Sequence, residues 1–165
     1  MNIVNGPAPA RWLARLAALA TIACASEPAT NLSSQPLPDF PFATARPDCA
    51  PWDGPAVGIL LTTTADTIPS DTTPYLYVGL YDTRDRLLRR TISWPAEPVT
   101  GGASWCVGAG GDCMAADSGH VRLDSIEGDS ILAGRLRLVF PGGAVLDGSF
   151  RAQWRPRTAM CGVSR

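Results

Sequence analysis

The sequence contains no lysine, and histidine occurs once, as His120. The absence of lysine excludes Schiff-base chemistry, a lysine general base and the lysine of a phosphate-binding P-loop. A single histidine excludes histidine pairs and histidine-rich metal sites. Charge is also sparse, because charged residues make up 18% of the 165 residues and the net charge is −1. Such a chain gives no indication of binding to nucleic acid or to an anionic membrane surface. The sequence predicts no catalytic residue, no metal ligand and no cofactor.

Long apolar runs are missing as well. The run from Leu16 to Ala23 is far shorter than the roughly 20 residues that a membrane-spanning helix needs. Arg11 and Arg15 precede this run, and small residues surround Cys24 after it. A positive start, a short apolar run and small residues are typical of an export signal. We therefore expect residues 1–23 to be a signal peptide.

The end of the run, "TIAC", resembles the lipobox of bacterial lipoproteins, although Thr21 stands where that family usually has leucine. The resemblance implies that Cys24 carries a lipid and becomes the first residue of the mature chain. An alternative cleavage site is also present, because Ala23 and Ala25 fit the A-x-A pattern of ordinary secretion. We expect an exported envelope protein that touches the membrane only through a lipid on Cys24, with a soluble secreted or periplasmic protein as the alternative.

The number of cysteines is odd, since the chain has five. If Cys24 is lipidated or removed with the signal, four cysteines remain, and an oxidising compartment favours their pairing. Three connectivities are possible. We favour Cys106–Cys113, because the intervening "VGAGGD" is flexible enough to close a small loop, and this leaves Cys49–Cys161 to join the ends of the domain. Zinc is disfavoured, because no C-x-x-C spacing occurs.

Residues 24–48 read as a flexible tether, since the segment is rich in Ser, Thr and Pro and has no period. From Cys49 to residue 165, short alternating apolar stretches are separated by Gly, Pro, Asp and Ser, which is typical of an all-β domain. About seven strands in this length suit a single antiparallel β-sandwich or a small flattened β-barrel, stapled by the disulfides. The expected strands are Ala56–Thr64, Tyr75–Asp82, Leu87–Trp94, Ser104–Gly108, Gly119–Ile126, Ile131–Phe140 and Val145–Trp154.

The last three strands predict a meander with a defined register. Opposed residues of a hairpin must lie on the same side of the sheet. A three-residue loop at Pro141–Gly143 meets this condition, because it pairs Leu138 with Leu146 and Leu136 with Gly148 and sets Phe150 across from Gly134. A turn at Gly128 and Asp129 pairs Val121 with Leu136 and Leu123 with Gly134.

This register also aligns His120, Arg137 and Asp147 on the outer side of the meander. A charged binding or catalytic cluster is one interpretation of this row. The other is an exposed cross-strand salt bridge, which contributes at most about 1 kcal/mol. We favour the second interpretation, because no serine or cysteine nucleophile lies near His120 in any recognised motif. The carboxy-terminal "LAGRLRLVFPGGAVLDGSFRAQW" resembles the G-S-F-x-A hairpin of uncharacterised small β-rich bacterial lipoproteins, a resemblance of structure that carries no activity.

All three tyrosines of the chain fall in "YLYVGLY" with the same parity, at Tyr75, Tyr77 and Tyr81. A strand places them on one face and the alternating apolar residues on the other. An exposed tyrosine row is a binding face for sugar rings or for a protein, because the ring is apolar and the hydroxyl is polar. The alternative is a central strand that is buried on both sides.

These observations predict a binding or interaction module that is not an enzyme, with an envelope protein or a polysaccharide as its partner and no nucleic acid. The alternatives are an envelope structural or assembly protein without a small ligand, and an enzyme of unrecognised type. An enzyme would show a deep pocket with converging polar groups and shifted pKa values.

Overall fold

The computed structural model describes residues 39–65, 70–156, 159 and 161. Within these residues the chain is mostly β-structure, with a single α-helical turn, α1, at Arg84–Leu87 and a 3-10 turn at Pro141–Gly143. The nine strands are β1 (Phe42–Cys49), β2 (Pro55–Thr62), β3 (Tyr75–Leu80), β4 (Thr91–Trp94), β5 (Gly101–Cys106), β6 (Cys113–Ala115), β7 (Ser118–Glu127), β8 (Ile131–Val139) and β9 (Val145–Trp154).

All nine strands belong to one sheet, in the order β4-β7-β8-β9-β1-β2-β3-β5-β6. Neighbours are antiparallel except β1 and β9, which run parallel and pair at Thr44 with Gln153 and at Ala45 with Trp154. This short pairing joins two antiparallel halves into one sheet. The edge strands β4 and β6 are not paired with each other, so the sheet is open. The all-β prediction is confirmed, whereas neither the two-sheet sandwich, the closed barrel nor the count of seven strands is confirmed.

Strand β1 accounts for part of this difference, because it lies within the segment that the sequence suggested was a tether. The sheet begins at Phe42, so the boundary expected after residue 48 is corrected to a point before this strand. Pro47 lacks a backbone N–H and made the segment look irregular. The backbone carbonyl of Ala45 accepts a hydrogen bond from the backbone N–H of Arg155, so the backbone polar groups of Ala45 face β9. Pro47, two residues further along β1, faces the same side, but β9 has ended there. The missing donor therefore interrupts no pairing between strands. Strand β6 is the other addition to the predicted set.

The core lies on one face of the sheet. Alternate residues of most strands are buried there, and β4 and β7 come close to β5 around them. Trp94 of β4 fills the gap near β5, because its ring packs against Gly119 and lies close to Gly101. The largest fully buried side chains are Trp105, Phe140, Ile59, Leu76, Leu80, Leu87, Leu123, Leu132, Leu138, Val57, Val78 and Val121. Burial of this size is the main stabilising contribution to the fold.

The predicted register of the carboxy-terminal meander is confirmed. Leu138 lies opposite Leu146, Leu136 opposite Gly148, and Phe150 opposite Gly134, where its ring covers the glycine. The pairs of β7 with β8 at Val121 and Leu123 also agree with the prediction. The turn has three residues rather than two, since Glu127 pairs with Ile131, and a bulge between Leu123 and Ser125 compensates for the extra residue.

Both predicted disulfides are present. Cys49 at the end of β1 is bonded to Cys161, and Cys106 of β5 is bonded to Cys113 of β6. The long bridge closes 112 residues and fixes the chain beyond β9 to the end of β1. The short bridge joins paired residues of adjacent strands and closes the loop that contains the glycine run.

Candidate functional site

Tyr75 and Tyr77 lie on the outer face of β3, and Tyr81 follows the end of the strand on the same side, as the parity of the sequence predicts. Leu76, Val78 and Leu80 are buried in the core, whereas Tyr75, Tyr77 and Tyr81 point the other way and are half-buried. The tyrosines are therefore neither freely exposed nor enclosed on both sides. Whether the tyrosines form a binding site depends on the residues that they pack against and on how much of each ring stays exposed.

A row of three glycines crosses the outer face next to these tyrosines. Gly58 of β2 lies opposite Gly79 of β3, which in turn lies opposite Gly102 of β5. On the far side, Gly58 is paired with Arg46 of β1, which is exposed. Adjacent strands lie about 4.8 Å apart, so the row extends about 14 Å across the sheet from Arg46 to Gly102.

The rings of Tyr77 and Tyr81 pack against these glycines. A methyl group on Gly58 would come within 3.1 Å of the Tyr77 ring, and one on Gly79 within 3.1 Å of the Tyr81 ring. Both distances are shorter than ordinary van der Waals contacts. A larger residue at either glycine would therefore push a ring away from the backbone. The glycines allow both rings to lie close against the sheet while their outer sides stay half exposed.

The Tyr77 hydroxyl is fixed by a carboxylate. It donates a hydrogen bond of 2.9 Å to Oδ2 of Asp48, whose Oδ1 accepts the backbone N–H of Cys49 at 2.9 Å. Burial raises the pKa of the Tyr77 phenol, and the bond to Asp48 raises it further. The phenol is therefore protonated at neutral pH and acts as a donor. Sequence reasoning missed Asp48, since the segment that contains it resembled a tether.

Trp52 completes an aromatic cluster on this face. It lies in the turn between β1 and β2, and its ring meets that of Tyr81 edge to face, with 5.1 Å between the centroids. Trp52 is 56% exposed, which is the largest exposure among the described large apolar side chains. Burial raises the pKa of Tyr81 as well, so this phenol is also protonated at neutral pH. We call Trp52, Tyr77 and Tyr81 the aromatic platform.

A pocket of about 220 Å³ lies beside the aromatic platform, and we call it the edge pocket. It lies where β6 ends, because β6 pairs with β5 only from Ser104 to Cys106 and leaves the start of β5 unpaired on the side away from β3. Small-molecule sites usually measure about 300 to 1,000 Å³, so the edge pocket has room for a small group only. Its lining residues are Tyr77, Tyr81, Trp94, Gly102, Ala103, Ser104, Ala115 and Ala116.

Trp94 of β4 lines the edge pocket with part of its ring. The residue is only 7% exposed, and its indole Nε1 is buried without a hydrogen-bond partner. Among the described residues, Trp105 Nε1 is the other buried side-chain atom in this state, but Trp105 does not line the pocket. A buried donor without an acceptor costs about 1 to 3 kcal/mol. Nothing in the sequence marks Trp94 as part of a site.

Tyr75 stands apart from the aromatic platform. It pairs with Thr62 and with Cys106, next to the short disulfide, and it does not line the edge pocket. The structure therefore brings together two of the three predicted tyrosines with Trp52, Asp48 and Trp94, and it leaves the third at the other end of β3.

The row of His120, Arg137 and Asp147 forms as the register predicts, on the exposed side of β7, β8 and β9. Arg137 donates a bond of 2.6 Å to Asp147, and both side chains are more than half exposed. His120 instead contacts the Ser93 hydroxyl at 2.8 Å through Nδ1. An exposed pair of this kind stabilises a fold by at most about 1 kcal/mol.

Other features of the sequence give no further site in the described part of the chain. The described residues contain no group of three or more His, Cys, Asp or Glu side chains arranged to hold a metal ion. No helix among them combines the length and the apolar character that crossing a membrane requires. Cys24, the expected signal peptide and most of the expected tether lie outside the described residues.

Comparison of the chain with protein-family models, with curated proteins and with solved structures finds no match. The chemistry of the site must therefore be argued from its own residues. Three aromatic rings, two phenol donors and a small pocket can hold a flat ligand that is apolar on its faces and polar at its edges.

Proposed function

We propose that this protein is a non-enzymatic binding module of the cell envelope, and that its aromatic platform binds the sugar rings of an envelope polysaccharide. The observation that carries the proposal is the packing of Tyr77 and Tyr81 onto a glycine row beside an exposed Trp52. Pyranose rings have an apolar face and a polar edge. Aromatic side chains that keep one side free and carry a hydroxyl suit such a ring.

Two features support a binding role over catalysis. The aromatic platform is held in place before any ligand arrives, because Asp48 fixes Tyr77 and Trp52 contacts Tyr81. Binding then requires little ordering of side chains, which favours affinity. The shifted pKa values of the two phenols also lie in the direction that keeps their protons at neutral pH, which is opposite to the shift that a general base needs.

A protein partner is the main competitor for this surface. Protein interfaces of ordinary size bury about 800 Å² on each partner and centre on large anchors. The aromatic platform comprises only three rings, and its neighbour Arg46 is exposed and charged. A surface this small suits a glycan better than a protein. A purely structural envelope role would leave the tyrosines and Trp52 without any effect on binding.

Polysaccharide binding is tested by sedimentation of the purified chain with insoluble peptidoglycan, chitin and cellulose. Retention on at least one of these polymers is expected. Tyr81→Ala and Trp52→Ala should each lower retention by about fivefold or more, since stacking on a ring contributes about 1 kcal/mol or more. Tyr75→Ala is the matched control, because this tyrosine lies on the same strand and the same face but outside the aromatic platform.

The results of these sedimentation assays distinguish polysaccharide binding from the protein-binding and structural alternatives. Retention that depends on Tyr81 and Trp52 but not on Tyr75 supports the proposal. Equal losses for all three variants would point to a general effect on folding, which thermal unfolding of each variant detects. Absence of retention on every polymer would overturn the polysaccharide proposal and leave the structural and protein-binding alternatives.

We further propose that the protein is exported and anchored by a lipid on Cys24. Two disulfides in a chain of this size support an oxidising compartment, since such bridges are rare in the cytosol. The "TIAC" sequence supports lipidation over simple secretion. Cys24→Ala should move the protein from the detergent-extracted membrane fraction to the soluble fraction. A wild-type protein that is already soluble would leave ordinary secretion as the explanation.

A further inference from the structure

We propose that Arg122 and Arg135, on the outer face of β7 and β8, bind a phosphodiester group of a hydroxyl-rich polymer. We call these two residues the arginine pair. The arginine pair lies on the half of the sheet that does not carry the aromatic platform, so the inference is independent of polysaccharide binding there. Three observations lead to this ligand: the opposed position of the two arginines, the net charge that they retain and the hydroxyl groups in the same row.

The two arginines oppose each other directly. Arg122 of β7 and Arg135 of β8 are register partners, and their side chains are 47% and 66% exposed. Like charges at directly opposed positions destabilise the pairing of two strands. The arrangement becomes favourable when an anion lies between the two guanidinium groups, because each group then gains a charge-assisted hydrogen bond.

Asp124 shows that one anionic group can contact both members of the arginine pair. This residue lies in the bulge of β7, where its Oδ1 is 3.0 Å from Nε of Arg122 and its Oδ2 is 3.1 Å from Nε of Arg135. Arg135 also donates through Nη2 to Oδ1 at 3.4 Å. The other terminal amino groups of the arginine pair make no hydrogen bond to the described residues, so they can donate to a second anion.

The arginine pair retains one positive charge. Strands β7, β8 and β9 contain four arginines and three acidic residues, which leaves a net charge of +1 when His120 is counted as neutral. Arg137 is paired with Asp147, and Arg151 is paired with Glu127 through two hydrogen bonds of 2.8 and 2.6 Å. The excess charge therefore lies on the arginine pair, which shares the third acid. A phosphodiester matches it with one negative charge and two free oxygens, whereas a phosphate monoester carries about −1.5 to −2.

Hydroxyl groups lie on both sides of the arginine pair. Thr91 of β4 is the register partner of Arg122, and Ser149 of β9 is the register partner of Arg135. Both residues are exposed, and neither hydroxyl makes a hydrogen bond to the described residues. Adjacent strands lie about 4.8 Å apart, so the row of four residues extends about 14 Å across the sheet. This order suits a polymer in which hydroxyl-bearing units alternate with phosphodiesters, as in poly(glycerol phosphate).

A membrane surface also presents phosphodiesters, but the arginine pair suits it less well. Segments that bind anionic membranes usually present clusters of about four to eight basic residues. Here a single net charge lies between two hydroxyl groups, which matches one phosphodiester of a polymer chain and its neighbouring units.

Calorimetric titration of the full chain with poly(glycerol phosphate) in about 0.1 M salt tests the inference, and polyglycerol is the uncharged control ligand. Only poly(glycerol phosphate) should bind. Arg122→Gln and Arg135→Gln should each weaken this binding by about fivefold to tenfold, since each removes a charge-assisted hydrogen bond. Arg46→Gln is the matched control, because this exposed arginine of β1 lies outside the row and its loss changes the net charge by the same amount. It should change the affinity by less than about twofold, since salt screens distant charges.

A second measurement uses the wild-type chain and does not depend on any variant folding. In its ¹H–¹⁵N spectrum, the Nε–H signals of Arg122 and Arg135 should shift with poly(glycerol phosphate) and not with polyglycerol. The Nε–H signal of Arg46 should stay in place with both ligands.

The possible results have distinct meanings. Weaker binding in both variants of the arginine pair, but not in Arg46→Gln, supports the inference. Equal losses in all three variants would indicate a general attraction between charges and would overturn the site. Tighter binding to single-stranded DNA or to phosphatidylglycerol vesicles would overturn the assignment to a hydroxyl-rich polymer, and no binding to poly(glycerol phosphate) would overturn the whole inference. None of these results changes the test of polysaccharide binding by the aromatic platform.

Discussion

The hydrogen bond between Tyr77 and Asp48 links the candidate site to the stability of the fold, and Tyr77→Phe removes it. The substitution keeps the ring that packs on Gly58 and deletes only the hydroxyl. Asp48 then loses the donor on Oδ2 and keeps only the Cys49 N–H on Oδ1. The change therefore isolates one charge-assisted bond at the base of the aromatic platform.

The expected magnitude follows from the partial burial of both groups. A hydrogen bond to a charged group contributes about 1.5 to 3 kcal/mol when it is shielded from water. Tyr77 and Asp48 are both half-buried, so water replaces part of the lost bond. We expect the free energy of unfolding to fall by about 1 to 2 kcal/mol, which lowers the thermal midpoint of a domain of this size by roughly 4 to 8 °C.

Urea denaturation and thermal unfolding measure this loss, with Tyr81→Phe as the control. The Tyr81 hydroxyl makes no hydrogen bond to the described residues, so its removal should cost less than about 0.5 kcal/mol. In an Asp48→Asn background the Tyr77→Phe cost should shrink, because the acceptor is then uncharged. A Tyr77→Phe variant as stable as the wild type, or no more costly than Tyr81→Phe, would refute the role given to this bond.

Three further predictions concern stability. Replacing both Cys49 and Cys161 with alanine should lower the free energy of unfolding by about 5 kcal/mol, because this bridge closes a loop of 112 residues. Replacing both Cys106 and Cys113 should lower it by about 2 kcal/mol, because this loop has 7 residues. Denaturant titration of the two variants measures both losses, and a larger loss for the short bridge would contradict the prediction. Gly119→Ala should destabilise the protein strongly, because the added methyl overlaps the Trp94 ring. Gly148→Ala on β9 is the control and should be nearly neutral, because its methyl meets no atom within 4 Å. Thermal unfolding compares the two variants, and similar midpoints would contradict the packing of Trp94 on Gly119. The raised pKa values of Tyr77 and Tyr81 mean that the folded state holds these protons more tightly than the unfolded state, whose phenols titrate near pH 10. The contribution of these two phenols to stability should therefore be constant below about pH 10 and fall above it, by at most about 1.4 kcal/mol per pH unit for Tyr77. Tyr77→Phe should flatten this decline in urea titrations between about pH 9 and 11.

The sequence predicted those parts of the fold that depend on neighbouring segments. The register of β7, β8 and β9 followed from alternation and from two turns, because a shift of one residue would move every apolar side chain to the wrong face. The Gly128 turn was one residue longer than predicted, and the bulge near Asp124 cancelled the difference. The core pairs were right because burial fixes the register more firmly than the turn does.

Pairings between distant segments were not predictable in the same way. Strand β1 pairs with β9 at Thr44 and Ala45, about 110 residues earlier in the chain, and this contact makes one sheet of what looked like two. Alternation reports which residues face the core, but not which strand lies beside which. The site shows the same limit, because tyrosine parity identified one face while Trp52, Asp48 and Trp94 reach it through tertiary structure alone.

Aromatic rings pack on glycines of neighbouring strands on both faces of the sheet, but the rings differ in their exposure to water. On the inner face, Phe150 covers Gly134 and Trp94 covers Gly119, and both rings are buried and help to fill the core. On the outer face, Tyr77 covers Gly58 in the same way, but no second layer of the described chain encloses it. A half-exposed ring keeps apolar area in water, which is unfavourable until a partner covers it. This asymmetry between the two faces is the physical basis for proposing a binding surface on β2, β3 and β5.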